Sequence, residues 1–229
     1  MKLVLFDIDG TILWTDGAGR RAINQALSEI FGGAGPEGYW FDGKTDRQIV
    51  RELMRLDGHA DAHIDARMDA LLARYVTYLE RELANPEHPP RLLEGLVPLL
   101  DALEARADVV LGLLTGNLER GARVKLAAVG IDPDRFRVNA FGSDAEHRPE
   151  LPALAQRRAR DLLALDVPGD AVVVIGDTPA DVDCGRSIGA RAIAVATGRY
   201  GVDELAAHRP AAVFRDLTET ERVVEAIVR

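Results

Sequence analysis

One cysteine, Cys184, stands alone in a chain of 229 residues. A single thiol excludes an intramolecular disulfide and a cysteine-built zinc site. The five histidines, at 59, 63, 88, 147 and 208, form no H-E-x-x-H pattern. His59 and His63 are spaced to share a helix face, but they lie in a polar, Asp-rich stretch, and metal binding is not expected there. Long apolar runs are also missing. No segment approaches the roughly 20 residues that cross a bilayer, so no membrane partner is expected. Asp7 and Asp9 interrupt the opening apolar run, so no secretory leader is expected and the default location is cytoplasmic. Positive charge is in deficit, with 28 Lys and Arg against 37 Asp and Glu and a formal net charge of −9. That balance argues against sequence-independent nucleic-acid binding, which needs a basic face. It leaves room for a small anionic substrate, because a few local cations and a metal reverse the field inside a cleft. Internal repeats and low-complexity tracts are absent. So is lysine after Lys125, which means that any cation downstream is an arginine.

What is present is the composition of a soluble globular protein, 47% hydrophobic and 28% charged, long enough for one large domain or two unequal ones. The chain is organised around its opening. Leu3 to Phe6 is a continuous apolar run, which predicts a strand buried on both faces. It ends in Asp7 and Asp9, followed by Gly10 and Thr11. Two carboxylates at the mouth of a buried strand are costly unless a cation meets them. Gly10 and Thr11 add a flexible turn and a hydroxyl, suited to a backbone that bends closely around an anion. These residues predict an aspartate nucleophile, an acid/base two residues on, and a divalent metal between protein and phosphate.

Helical spacing then takes over. Ile23, Ala26, Leu27, Ile30 and Phe31 predict a helix stopped at Gly32-Gly33. Thr45 with Gln48 predicts a capping box that opens a second helix carrying Ile49, Val50, Leu53 and Met54. A third runs from about Ala62 to Leu83. Asn-Pro-Glu-His-Pro-Pro, residues 85–90, is the best linker candidate. Beyond it strands and helices alternate. Val97, Leu100 and Leu103 mark a helix, Val109 to Leu114 a strand ending in Thr-Gly-Asn, and Arg137 to Phe141 another strand. Ala171 to Ile175 is a strand ending in Gly-Asp-Thr-Pro, and Arg191 to Val195 and Ala211 to Phe214 are two more. Such alternation predicts an α/β fold with an open parallel sheet covered on both sides. The expected division is a Rossmann-like core at 1–14 and 88–229, interrupted by an all-helical cap at 15–87. The polar clusters all follow predicted strands: Asp7 and Asp9, Thr115 to Asn117, then Asp177, Thr178, Asp181 and Asp183. Ligands bind at the carboxyl ends of strands in open α/β sheets, so these distant clusters are expected to converge.

Asp7-Ile8-Asp9-Gly10-Thr11 resembles the first motif of the haloacid dehalogenase-like superfamily, Leu113 to Asn117 its second, and Ile175 to Asp181 its fourth. The order and spacing match over about residues 2–215. The helical insertion after the first motif resembles the cap of the phosphoglycolate phosphatase and β-phosphoglucomutase branch. The resemblance implies a magnesium-dependent phosphatase acting on a small phosphorylated metabolite, as a monomer or homodimer. It implies Asp7 as nucleophile and carrier of an aspartyl-phosphate, and Asp9 as acid and then base. Thr115, Gly116 and Asn117 would bind a phosphoryl oxygen, along with the Gly10-Thr11 turn, although Asn117 also suits an ordinary helix cap. Magnesium would take the Asp7 carboxylate, the Asp9 backbone carbonyl and Asp177, with Asp181 holding a bound water or orienting the loop. Thr178 and Asp183 fall outside the strict pattern, and capping or solvated roles are expected for them. The third motif calls for a basic residue, usually Lys followed by Pro. Here the candidate is Arg148 in His147-Arg148-Pro149, a tolerable exchange because guanidinium also grips phosphate. Arg157 and Arg158 are the other candidates. Gly43 to Arg47 resembles the branch's specificity loop, so Lys44 or Arg47 meets the distal part of the substrate or is simply an exposed helix start. A phosphomutase is the alternative within the branch. A phospho-accepting signalling domain is the alternative outside it, disfavoured by the missing lysine and the extra helical residues.

Overall fold

The first strand, β1 (Lys2–Phe6), lies near the middle of a six-stranded sheet because both of its faces are apolar. The computed structural model describes residues 1–229. Leu3 and Leu5 point to one side and Val4 and Phe6 to the other, as the two-residue strand period requires, and all four are fully buried.

After β1 come β2 (Leu13–Trp14), α1 (Ala18–Phe31), α2 (Asp46–Leu56), α3 (Asp61–Leu83) and β3 (Arg91–Leu92). Then the strand–helix alternation begins with α4 (Leu96–Glu104), β4 (Val109–Thr115), α5 (Glu119–Ala128) and β5 (Val138–Phe141). It continues through α6 (Leu151–Leu163), β6 (Val172–Gly176), α7 (Pro179–Cys184), β7 (Arg191–Val195), α8 (Val202–Ala207), β8 (Ala212–Phe214) and α9 (Thr220–Val228).

The sheet order is β5-β4-β1-β6-β7-β8, and every pairing is parallel. From β1 the chain therefore builds outward to one side through β4 and β5, then returns to build the other side from β6. The reversal puts a topological switch point between β1 and β6, where open sheets of this kind leave a crevice beyond their carboxyl ends. Phe6 is level with Leu113 and Ile175, so the residues that follow the three central strands emerge side by side.

One face of the sheet packs on α4, α5 and α9 through Leu99, Leu103, Leu126 and Ile227. The other packs on α6 through Leu151, Ala155 and Ala159. Helices α1 to α3 form a separate apolar core, with Ile23, Leu27, Leu53, Met68 and Tyr75 inside it, reached from the α/β part by Leu118. This is the helical cap.

Local differences from the sequence-based expectations have simple causes. Val97 lies on the outer side of α4, and Leu96 and Leu99 take its place in the core. Thr45 does cap α2 through the Gln48 N–H, but the Gln48 amide turns to Glu52 instead of completing a box. Strands β2 and β3 were not expected. They pair antiparallel where the chain enters and leaves the cap, Leu13 opposite Leu92 and Trp14 opposite Arg91, and are too short to show a period in the sequence.

Candidate active site

Asp7 leaves the end of β1 with its N–H bonded to the Ile175 carbonyl at 2.9 Å, so its carboxyl stays level with the end of β6. Asp177 follows β6 directly. Between them the chain turns at Gly10, whose φ of +79° suits glycine. A Cβ there would lie 2.3 Å from an oxygen of Asp177, so the turn and the carboxylate fit only without one. Thr11 Oγ1 donates to Asp177 Oδ1 at 3.4 Å, and Thr197 Oγ1 donates to the Gly10 carbonyl. The motif's glycine and threonine thus shape the Asp177 side of the site.

Carboxylate oxygens of Asp7, Asp177 and Asp181 lie within 4.8 Å of one another, and all three residues are buried. Arg148, 3% exposed, enters this cluster from just before α6. Its Nη2 lies 3.1 Å from Asp7 Oδ1, donates to the Leu114 carbonyl at 3.1 Å and pairs with Asp181. Burial pushes the Asp7 carboxyl up to about 6, with Arg148 pulling the other way. Asp177 is driven well above the carboxylate range, first by burial and then by repulsion from Asp181 and Asp7. Burial also works against the charge on Arg148, but Asp181 and Asp7 overcome it and hold the guanidinium protonated. Of the rival arginines, Arg158 is tied to Asp144 at 2.7 Å on α6.

Asp181 has little spare capacity. One oxygen takes Arg148, and the other accepts from the Thr178 N–H at 3.0 Å and from Thr178 Oγ1 at 2.6 Å. Thr178 is the N-cap of α7, in a reciprocal box with Asp181, with Pro179 following in the first turn.

The other half of the site gathers around Asp9, whose side chain is 43% exposed and faces a cavity of about 290 Å³. Asn117 Nδ2 donates to Asp9 Oδ2 and to Thr115 Oγ1, both at 2.8 Å. Asn117 therefore does not cap the following helix, where Leu118 stands at the N-cap with no side-chain bond. The Gly116 carbonyl accepts from the Asp46 N–H at 2.8 Å, and a Cβ on Gly116 would come within 2.0 Å of the Lys44 carbonyl. The glycine of this motif is thus where the cap's backbone rests on the core.

Sequence reading missed Lys125. It stands 3% exposed on α5 with its ammonium against Asp9 and Asn117. The available signal was its place between Ala122 and Leu126 on the helix's buried stripe, where an apolar residue belongs.

The cavity wall includes Asp7, Asp9, Thr115, Lys44, Arg148 and Asp177. Lys44 bonds Tyr39 and Glu52, at 2.6 Å to the latter, which leaves its charge partly answered. Arg47 is not brought into the site. It lies 3.8 Å from Asp69 and does not line the cavity.

Asp46, beneath the cap, is 8% exposed and accepts the Leu118 N–H at 2.8 Å. Burial pushes its carboxyl up to about 6, against Lys125 and that N–H. An acid with a raised native pKa binds its proton more tightly folded than unfolded, so stability is lost as pH rises from about 4 to about 6. Asp46→Asn keeps the acceptor and removes the titration. Its unfolding free energy relative to the unmodified chain is expected to rise by about 2–3 kcal/mol between those pH values. Parallel urea titrations would measure the gap, and a constant gap would overturn the expectation.

The haloacid dehalogenase-like hydrolase family model matches residues 4–186. The chain is 29% identical over 227 residues to the phosphoglycolate phosphatase of Rhodospirillum rubrum, covering 94% of this chain and 87% of that one. Among solved structures, a hydrolase from Pseudomonas syringae matches with a TM-score of 0.75 at 22% identity, over 99% of both chains. CbbY from Rhodobacter sphaeroides, solved in complex with phosphate, matches with a TM-score of 0.68 at 21% identity, over 96% of both. With the parallel sheet, the inserted helical cap and the acids converging at the switch point, the chain belongs to the haloacid dehalogenase-like hydrolases.

Proposed function

We propose that this enzyme is a magnesium-dependent phosphatase that moves the phosphoryl group of a small phosphorylated metabolite first to Asp7 and then to water. One observation carries it: Asp7 and Asp9 after β1, Thr115 at the end of β4, Asp177 after β6 and Arg148 from just before α6 all line one cavity beneath a helical cap. The phosphoglycolate phosphatase of R. rubrum supports a phosphomonoester as substrate. A cavity of about 290 Å³ suits a small metabolite.

The donor set fits magnesium. It is built from hard oxygens, and Asp7, Asp177 and Asp181 lie close enough to share an ion. Repulsion among them adds to burial in raising Asp7 and Asp177, so a further cation is what allows them to ionise together. Asp7, Asp177 and the Asp9 backbone carbonyl would hold it. When bound, magnesium neutralises phosphoryl oxygens and lowers the barrier to attack by a weak carboxylate nucleophile.

The chain's own groups supply the rest. Asp7 attacks phosphorus in line with the leaving oxygen. Asp9 protonates that oxygen, then takes a proton from the water that cleaves the aspartyl-phosphate. Thr115 Oγ1 and the backbone N–H groups of Gly116 and Asn117 face a phosphoryl oxygen, and Arg148 answers the charge on Asp7 and the phosphate. Asp181 holds Arg148 and the start of α7 in place. The cap keeps bulk water away.

Phosphate release across a panel of small phosphomonoesters, with magnesium and with a chelator, tests this. Turnover of at least one ester is expected, falling about 100-fold or more in chelator and returning with magnesium. Release that ignores chelation, or no release from any ester, would overturn it.

A further inference from the structure

Lys125 is the second fully enclosed cation of the site, and Arg148 does not duplicate it. Arg148 holds Asp7 and Asp181, while Lys125 touches neither. Its Nζ lies 2.8 Å from Asp9 Oδ1, 2.6 Å from Asp9 Oδ2 and 2.6 Å from Asn117 Oδ1. An ammonium has three N–H donors, and three acceptors surround this one, so it has none left for a substrate. The contacts also fix the Asn117 amide. Its oxygen accepts from Lys125, so its nitrogen must face Asp9 and Thr115, and a flipped amide would set NH₂ against the ammonium.

A lysine stem is flexible, but this one is confined. It rises from the buried stripe of α5 beside Ala122 and Leu126, at 3% exposure, beneath the cap residues Asp46 and Tyr75. Gly19 of α1 closes over it, where a Cβ would lie 3.6 Å from Nζ and 3.7 Å from the Tyr75 hydroxyl. Asp9 itself has no comparable support, since its side chain is 43% exposed at the cavity wall.

We infer that Lys125 is the positioning residue for Asp9: it clamps the carboxylate and the Asn117 amide into one unit, so that the carboxyl meets the oxygen of the leaving alcohol. This rests on the phosphatase reading above, in which Asp9 delivers a proton to that oxygen. The proton passes from the Asp9 carboxyl to the ester oxygen as the P–O bond breaks and the Asp7–phosphorus bond forms. Lys125 neither gives nor takes it.

The consequence depends on the leaving group. An alkoxide needs the proton, whereas p-nitrophenolate departs without one. The kcat/KM of each ester reports the chemistry up to that departure. In Lys125→Met, kcat/KM for the alkyl phosphate best hydrolysed in the panel is expected to fall about 100-fold, the scale of a misplaced general acid. The ratio of alkyl to p-nitrophenyl kcat/KM should drop about tenfold or more. Inhibition by inorganic phosphate should change little, because all three Lys125 donors are spent on Asp9 and Asn117. The double variant Lys125→Met/Asp46→Asn removes the buried acid together with its cation, and the same shift in ratio is expected from it. Equal losses on both esters, in both variants, would make Lys125 a packing residue and overturn the inference while leaving the phosphatase intact. An unmodified enzyme that cleaves neither ester would sink both.

Discussion

Asp7→Asn is expected to lower phosphate release by about 10⁴-fold or more while leaving the fold intact, because in the proposed mechanism it removes the carboxylate that attacks phosphorus. The substitution is nearly isosteric at a site where the backbone N–H remains bonded to Ile175. Arg148 keeps its pairing with Asp181, so the guanidinium is not stranded. Burial holds the native Asp7 carboxyl at about 6, above its value in an unfolded chain. The folded state therefore binds the extra proton between about pH 4 and pH 6, and ionised Asp7 is a net cost to stability above that window. In the metal-free protein near pH 7 the amide should accordingly melt no lower than the acid. A radiolabelled phosphoryl group should be trapped on acid-quenched native enzyme and be absent from the variant. Label on the Asp7→Asn protein, or activity within tenfold of the native level, would move the nucleophile elsewhere.

Why so much of this arrangement was legible in the sequence follows from where the acids stand. A buried parallel strand announces itself as a short continuous apolar run, and β1, β4 and β6 do so. Acids placed directly after such runs emerge at the carboxyl edge of the sheet, and Asp7 and Asp177 meet there because β1 and β6 are neighbours. Arg148 could be singled out only through its resemblance to the third motif, a cation followed by proline; the lack of lysine after Lys125 showed merely that this cation is an arginine.

Lys125 itself escaped for the opposite reason. A lysine in a helix is ordinarily a solvated residue with a buried stem, and only the packing of α1 and α3 over α5 turns this one inward. Asn117 was ambiguous because a Thr-Gly-Asn before a helix satisfies the capping pattern equally well. Its partner 108 positions away, Asp9, decided the matter. Lys44 and Arg47 stand three residues apart near the start of α2, and the sequence offered no way to tell them apart. The curl of the loop over Gly116 sends the first to the cavity and the second toward Asp69.

Arg148→Met should cost both activity and stability. It removes the one cation buried with Asp7 and Asp181, at 3.1 Å from the first and in direct contact with the second. Breaking one partner out of a buried ion pair is destabilising by about 3–5 kcal/mol, because the remaining charge has neither water nor counterion. Here the relief is partial, since Asp7, already raised by burial, loses the charge that holds it down and takes up a proton more readily still. The loss should therefore be largest at neutral to alkaline pH and shrink as the medium is acidified. Magnesium should offset part of it by supplying positive charge to the same acids. Activity should fall about 10³-fold, the scale of losing a charged group aimed at a transferring phosphoryl group. Arg148→Lys is the informative companion. It restores the charge without the guanidinium Nη2 that reaches Asp7, Asp181 and the Leu114 carbonyl together. Recovery of stability with only partial recovery of kcat would separate the two duties of the guanidinium. If the methionine variant melts with the native enzyme at every pH, the buried acids are compensated by something other than Arg148.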